Sequence, residues 1–174
     1  MRRGPAVTAA IAAVVVAVDQ AAKFAVRNTL PTPGSSVPVL GDLVRLTFTR
    51  NEGAAYGLLS GGRIWFILVS VVAVCVIAGY LIRRRPQKLW LIVALGLVAG
   101  GAIGNLIDRA WFGWVTDFIQ VPFDFPVFNV ADSSVVVGVA MLVWWLLFGP
   151  APVVTPTPSI AAEGSSSDGP AEEA

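Results

Sequence analysis

The chain has 174 residues, 56% of them hydrophobic and 13% charged, with a mean hydropathy of +0.75; an ordinary soluble domain is about 25% charged, so a water-soluble globule is excluded and lipid is the expected solvent. It contains no His and a single Cys, Cys75. Serine–histidine and cysteine–histidine catalysis, His-ligated or Cys-cluster metal sites and internal disulfides are therefore excluded, and no metal or other cofactor is expected. The net charge is +1, and no basic face interleaved with aromatics marks a nucleic-acid binder.

The first apolar stretch runs from Ala6 to Val18 and continues through Asp19-Gln20-Ala21-Ala22-Lys23 to Val26. Arg2-Arg3 ahead of it gives it the look of a signal peptide. The helical pattern, however, persists past Val18, and Asp19 and Lys23 are four apart, on one helix face where they can pair. Residues 27–63 follow. Pro31-Thr32-Pro33-Gly34 reads as a turn, and Leu43–Thr49, alternating and rich in β-branched residues, as a short strand or half of a hairpin. Ile64–Ile82 is a second apolar run, broken only by Ser70. Leu89–Ile107 is a third, polar only at Asn105, with Gly96, Gly100 and Gly104 on one face and Gly101 beside them. That face predicts close helix packing within the chain. Residues 108–129 hold Trp111, Trp114 and Phe118, with breaks at Pro122 and Pro126, and read as lying on the membrane surface. The fourth run is Val130–Phe148. The last three runs are 19 residues each, close to the ~20 needed to cross a hydrocarbon core as helices. Residues 1–150 thus form a four-span membrane domain. Residues 151–174, rich in Pro, Thr, Ser, Gly and Glu, read as a dispensable disordered tail.

Orientation follows from Arg and Lys near the span ends. Arg83-Arg84-Arg85-Pro86-Gln87-Lys88 carries four bases and no acid, and Arg2 and Arg3 add to the same side. Both termini and this loop are therefore expected in the cytoplasm, and the segments 27–63 and 108–129 outside. Trp65, Trp90, Trp144 and Trp145 fall near span ends, as in an aromatic belt.

Ionisable groups at a membrane edge are costly, and each marks a candidate site. Asp19, late in the first helix, Asp108, expected just after the third, Asp117 and Asp132 all fall on the outer side. Each also has a plain reading: an ion pair with Lys23 for Asp19, pairing with Arg109 for Asp108, a loop acid for Asp117, an N-cap for Asp132, with Asn129 competing for the cap. Spacing does not choose among them. Two carboxylates held together would share a proton, one activating water and the other binding a carbonyl. A serine–lysine dyad of Lys23 with Ser133 or Ser134 is the other amide-cleaving option, weakened by acids that keep Lys23 charged. A small transporter would also fit polar span ends, but such sites usually lie near the bilayer midplane.

Five pieces in order resemble the lipoprotein signal peptidases (signal peptidase II), membrane aspartic peptidases of bacterial lipoprotein maturation. They are Asp19-Gln20-x-x-Lys23; Asn51-Glu52-Gly53-Ala54-Ala55-Tyr56-Gly57; Gly100-Gly101-Ala102-Ile103-Gly104-Asn105-Leu106-Ile107-Asp108-Arg109; Gly113-Trp114-Val115-Thr116-Asp117-Phe118-Ile119; and Phe128-Asn129-Val130-Ala131-Asp132-Ser133. Tyr56 departs from the usual Phe, and the tail after Gly149 is an addition. The resemblance implies an all-α membrane fold of four transmembrane helices with a small extracytoplasmic β-cradle and a surface-lying helix or loop, supplied by Leu43–Thr49 and residues 108–129. It implies that Asp117 and Asp132 form a catalytic dyad, that Asn51, Asn105, Arg109 and Asn129 surround the substrate, and that Asp19, Lys23 and Asp108 are supporting polar residues. It also implies a prolipoprotein substrate cleaved before a diacylglyceryl-modified Cys, inhibition by globomycin, a place in the bacterial cell membrane among its lipids, and a monomer.

Overall fold

A computed structural model describes residues 4–41, 43–53 and 63–149. In chain order the elements are helix α1 (Gly4–Thr29), strands β1 (Ser36–Leu40) and β2 (Val44–Asn51), helices α2 (Arg63–Arg84) and α3 (Leu89–Trp111), strand β3 (Val115–Gln120) and helix α4 (Val130–Phe148). All four helices are long and apolar enough to cross a membrane. The expected tail, Arg2-Arg3 and Ala54–Gly57 lie outside the described residues.

Helix α3 is the centre of the bundle. Apolar side chains gain little by leaving lipid for each other, so close backbone approach must hold such helices together. The glycines of α3 supply it on two faces. Gly96 and Gly100 lie against Ile11, Ala12 and Val15 of α1, and Gly104 against Asp19. Gly101 faces Ala131 and Val135 of α4, where Gly138 returns the contact by fitting between Ala94 and Val98. The glycine face thus packs inside the chain, as its spacing predicts. Helix α2 packs mainly on α3 and fully buries only Ile77.

Three antiparallel strands in the order β1-β2-β3 cap one end of the bundle. Strand β1 pairs antiparallel with β2, so the strand expected at Leu43–Thr49 is one half of a hairpin. The 108–129 segment is not only a surface loop or helix: it contributes β3, which pairs with β2 through Thr49↔Asp117 and Asn51↔Val115. The loop after β3 does lie on the surface, with Phe123 and Phe125 exposed. Helix α3 runs to Trp111, so Asp108 sits in its last turn rather than beyond it.

Two apolar clusters flank a polar layer. Ala12, Ile77, Leu95 and Ala99 form one, among the helices. Val26, Leu30, Phe48 and Phe118 form the other, between α1 and the sheet. Gly4 at the start of α1 lies against Pro86 in the basic loop. The polar layer and the sheet therefore occupy the opposite end of the bundle.

Candidate active site

Local sequence places each polar side chain. In α1, Asp19 and Lys23 share the face that meets α3. In α3, Asn105 and Asp108 are three apart and both meet Lys23 of α1. Asn129 is the N-cap of α4, and Asp132 is its third helical residue. Asn129 Oδ1 accepts from the Asp132 N–H at 2.9 Å, and Asp132 Oδ2 accepts from the Asn129 N–H at 3.2 Å. This reciprocal capping box fixes both rotamers. The cap is therefore Asn129, not Asp132. Backbone bonds between Phe128 and Ile119, 2.7 and 3.0 Å, pin the residue before the cap to β3. Asn129 is thereby laid against Asp117.

Asp117 and Asp132 are bound by one set of carboxamides. Asn129 Nδ2 donates to Asp117 Oδ1 at 2.6 Å, and Asn51 Nδ2 to Asp117 Oδ2 at 2.8 Å. Asn51 lies diagonally across the β2–β3 ladder from Asp117, within side-chain reach. Asn105 Nδ2 donates to Asp132 Oδ1 at 2.7 Å. Asn129 Nδ2 also donates to Asn105 Oδ1 at 3.1 Å, linking the two halves. Asp117 is 1% exposed and Asn129 fully buried. Arg109 stacks its guanidinium 4.8 Å from the centroid of the Phe66 ring and lies in the field of Asp132, Asp117 and Asp108.

Behind the carboxamides is a buried charge cluster. Lys23 Nζ is 2.8 Å from Asp19 Oδ2 and 3.5 Å from Asp108 Oδ2, and all three side chains are sealed from solvent. Gln20 Nε2 bridges the same two carboxylates at 3.2 Å each. Arg27 adds a second cation, 3.7 Å from Asp108 Oδ1, and hydrogen-bonds Thr116 Oγ1 at 2.7 Å. Isolated, any of these charges would cost several kcal/mol to bury; paired and hydrogen-bonded, they are tolerated. Lys23 is thus committed to carboxylates. Ser133 and Ser134 donate their hydroxyls to Asn129 and Val130 carbonyls within α4. A serine–lysine dyad has no basis in this geometry.

Electrostatics separate Asp117 from an ordinary carboxylate. Burial, reinforced by the Asp132 charge, pushes its pKa up from 3.8 to about 6. The Asn51 and Asn129 amides and the Lys23 cation oppose that shift and are outweighed. A carboxyl that keeps its proton near pH 6 beside a second carboxylate is equipped for acid–base work.

The structure thus divides the four candidate carboxylates: Asp117 and Asp132 with Asn51, Asn105 and Asn129, and Asp19 and Asp108 with Lys23. Sequence reasoning gave no role to Gln20, Arg27 and Thr116. Gln20 had a signal, a polar residue beside Asp19 inside an apolar run, and Arg27 another, one turn past Lys23.

The fold and this site define a multi-pass membrane protein with an amide-bound carboxylate pair at one end of its bundle. The sequence model of the family described as signal peptidase (SPase) II matches residues 11–148, and the chain belongs to that family of peptidases. It is 46% identical over 138 residues to the lipoprotein signal peptidase of Pelotomaculum thermopropionicum, covering 79% of this chain and 89% of that one. It is 43% identical to that of Moorella thermoacetica, covering 79% and 90%. A bacterial membrane enzyme solved by the in meso method at 1.9 Å resolution is 36% identical and superposes with a TM-score of 0.76, covering 82% of this chain and 94% of that one.

Proposed function

We propose that this peptidase is an aspartic endopeptidase that removes signal peptides from diacylglyceryl-modified prolipoproteins, cleaving before the lipidated lipobox Cys. The observation that carries the reading is the Asp117–Asp132 pair, two carboxyl groups joined through Asn129 and Asn105. Membership of the signal peptidase II family supports the substrate class. Asp132, ionised, takes a proton from water as the water oxygen attacks the scissile carbonyl carbon. Asp117, holding its proton near pH 6, hydrogen-bonds the carbonyl oxygen and stabilises the developing oxyanion. Collapse breaks the C–N bond, with the proton taken from water passing to the nitrogen of the departing lipidated Cys. The signal peptide leaves with a new carboxylate. Asn51 and Arg109 contact substrate from the sheet and from α3, and Asn105 and Asn129 hold the dyad. The acyl chains of the substrate stay in the bilayer, so attack is effectively intramolecular. In this reading the site faces the extracytoplasmic edge of the bacterial cell membrane, both termini and the Arg83–Lys88 loop are cytoplasmic, and the monomer is the working unit.

The test is product mapping by mass spectrometry with paired lipobox peptides, with and without the diacylglyceryl group. The expected result is one cut, immediately before the Cys, in the lipidated peptide only, blocked by globomycin. Folded protein that cleaves neither peptide, or cleaves the unlipidated one equally well, contradicts the proposal.

A further inference from the structure

The buried Asp19–Lys23–Asp108 cluster touches neither Asp117 nor Asp132 through its side chains, yet it reaches both. Asp19 Oδ1 accepts the Ala131 N–H at 2.9 Å, and Ala131 directly precedes Asp132. Asp108 Oδ2 accepts the Thr116 N–H at 2.8 Å, and Thr116 directly precedes Asp117. Lys23 Nζ sits between the two acids and also donates to Asn105 Oδ1 at 2.9 Å. That last bond has a directional consequence. A carboxamide offers an oxygen on one side and an N–H₂ on the other, and its neighbours decide which way it turns. An ammonium can only donate. The Asn105 oxygen must therefore face Lys23, which turns its N–H₂ onto Asp132 Oδ1 at 2.7 Å. Flipped, the amide would set an oxygen against a carboxylate and an N–H₂ against an ammonium.

We infer that Lys23 is a positioning residue of the peptidase: it orients the Asn105 amide towards Asp132 and, through Asp19 and Asp108, holds the backbone next to each member of the dyad. This rests on the aspartic peptidase reading given above. The arrangement couples three helices and one strand through a single nitrogen. It explains why a cation is buried here rather than replaced by packed apolar side chains, which in many proteins are as stable or more so.

The experiment compares wild type, Lys23→Met and the charge-balanced Asp19→Asn/Lys23→Met in detergent with a diacylglyceryl-modified lipobox peptide. The double variant keeps an oxygen for the Ala131 N–H and leaves no unpaired buried charge, so it preserves the test where the single variant fails to fold. The expected result for folded variant is a kcat lowered roughly 10–100-fold with KM changed far less, because geometry at the reacting atoms is loosened while substrate contacts remain. In Lys23→Met the alkaline limb of kcat/KM also moves to higher pH, since the Lys23 cation no longer opposes protonation of Asp117. A purely structural role would lower only the folded fraction. A folded double variant with wild-type kcat overturns the inference while leaving the peptidase reading intact. Absence of cleavage by the wild type overturns that reading itself.

Discussion

Asp117 has been pulled away from ordinary carboxylate behaviour by burial, and pH exposes the consequence in two ways. Its folded pKa is about 6 against an ordinary 3.8. Between these values the native state binds more protons than the unfolded one, so stability falls as pH rises from about 4 to 6, by about 3 kcal/mol at most. In thermal unfolding across pH 4–7, the wild type should lose stability over this window, and Asp117→Asn should flatten that part of the slope. Identical slopes would show that Asp117 is not perturbed. The same proton is needed for catalysis in the proposed mechanism, so kcat/KM for a lipidated peptide should decline above pH 6. A profile flat to pH 8 would contradict Asp117 as the protonated partner. At this scale the sequence was partly legible. The Asp19–Lys23 pair followed from helical spacing alone. Which carboxylates share the asparagine amides did not, because the Asp117–Asn129 and Asp132–Asn105 bonds depend on how a strand and two helices converge; only the family resemblance separated them.

Among the elements, α3 carries the bundle through its glycines, and the two kinds of glycine it and α2 contain predict opposite results. A Cβ at Gly101 would stand 2.7 Å from Val135 Cγ2 and closer still to the Ala131 carbonyl oxygen. Gly101→Ala should therefore push α4 from α3 and cost about 1–3 kcal/mol. It should also lower activity, since Ala131 adjoins Asp132. Gly79 in α2 has nothing within 4 Å of the same position. Gly79→Ala should be neutral or stabilise by up to ~1 kcal/mol, the usual helix preference for Ala. Denaturation in detergent checks both; equal effects would refute the packing role of Gly101. The glycine spacing showed the Gly96–Gly100–Gly104 face in advance, and hydropathy showed the four spans. The sheet was harder to read. Val115, Thr116, Asp117 and Phe118 are all buried, so β3 lacks the alternation that betrays a half-exposed strand. Its partner β2 lies more than 60 residues earlier, and no local signal reports a pairing of that range. In β1, Pro38 interrupts the pattern of a strand only five residues long.

At the scale of the molecule, two apolar clusters sandwich one polar layer, and that layer joins α1, α3, α4 and the sheet. A membrane protein that buries three carboxylates, a lysine and two asparagines at one end of its bundle invests stability in a site. The central claim is that Asp117 and Asp132 together hydrolyse the peptide bond ahead of a lipidated Cys. The most direct test is cleavage of a diacylglyceryl-modified lipobox peptide in detergent by the wild type and by Asp132→Asn, with folding of both checked by thermal unfolding. Cleavage by the wild type, abolished in a variant that still inserts and folds, is the predicted result. Equal cleavage by the two would remove Asp132 from the chemistry and contradict the dyad.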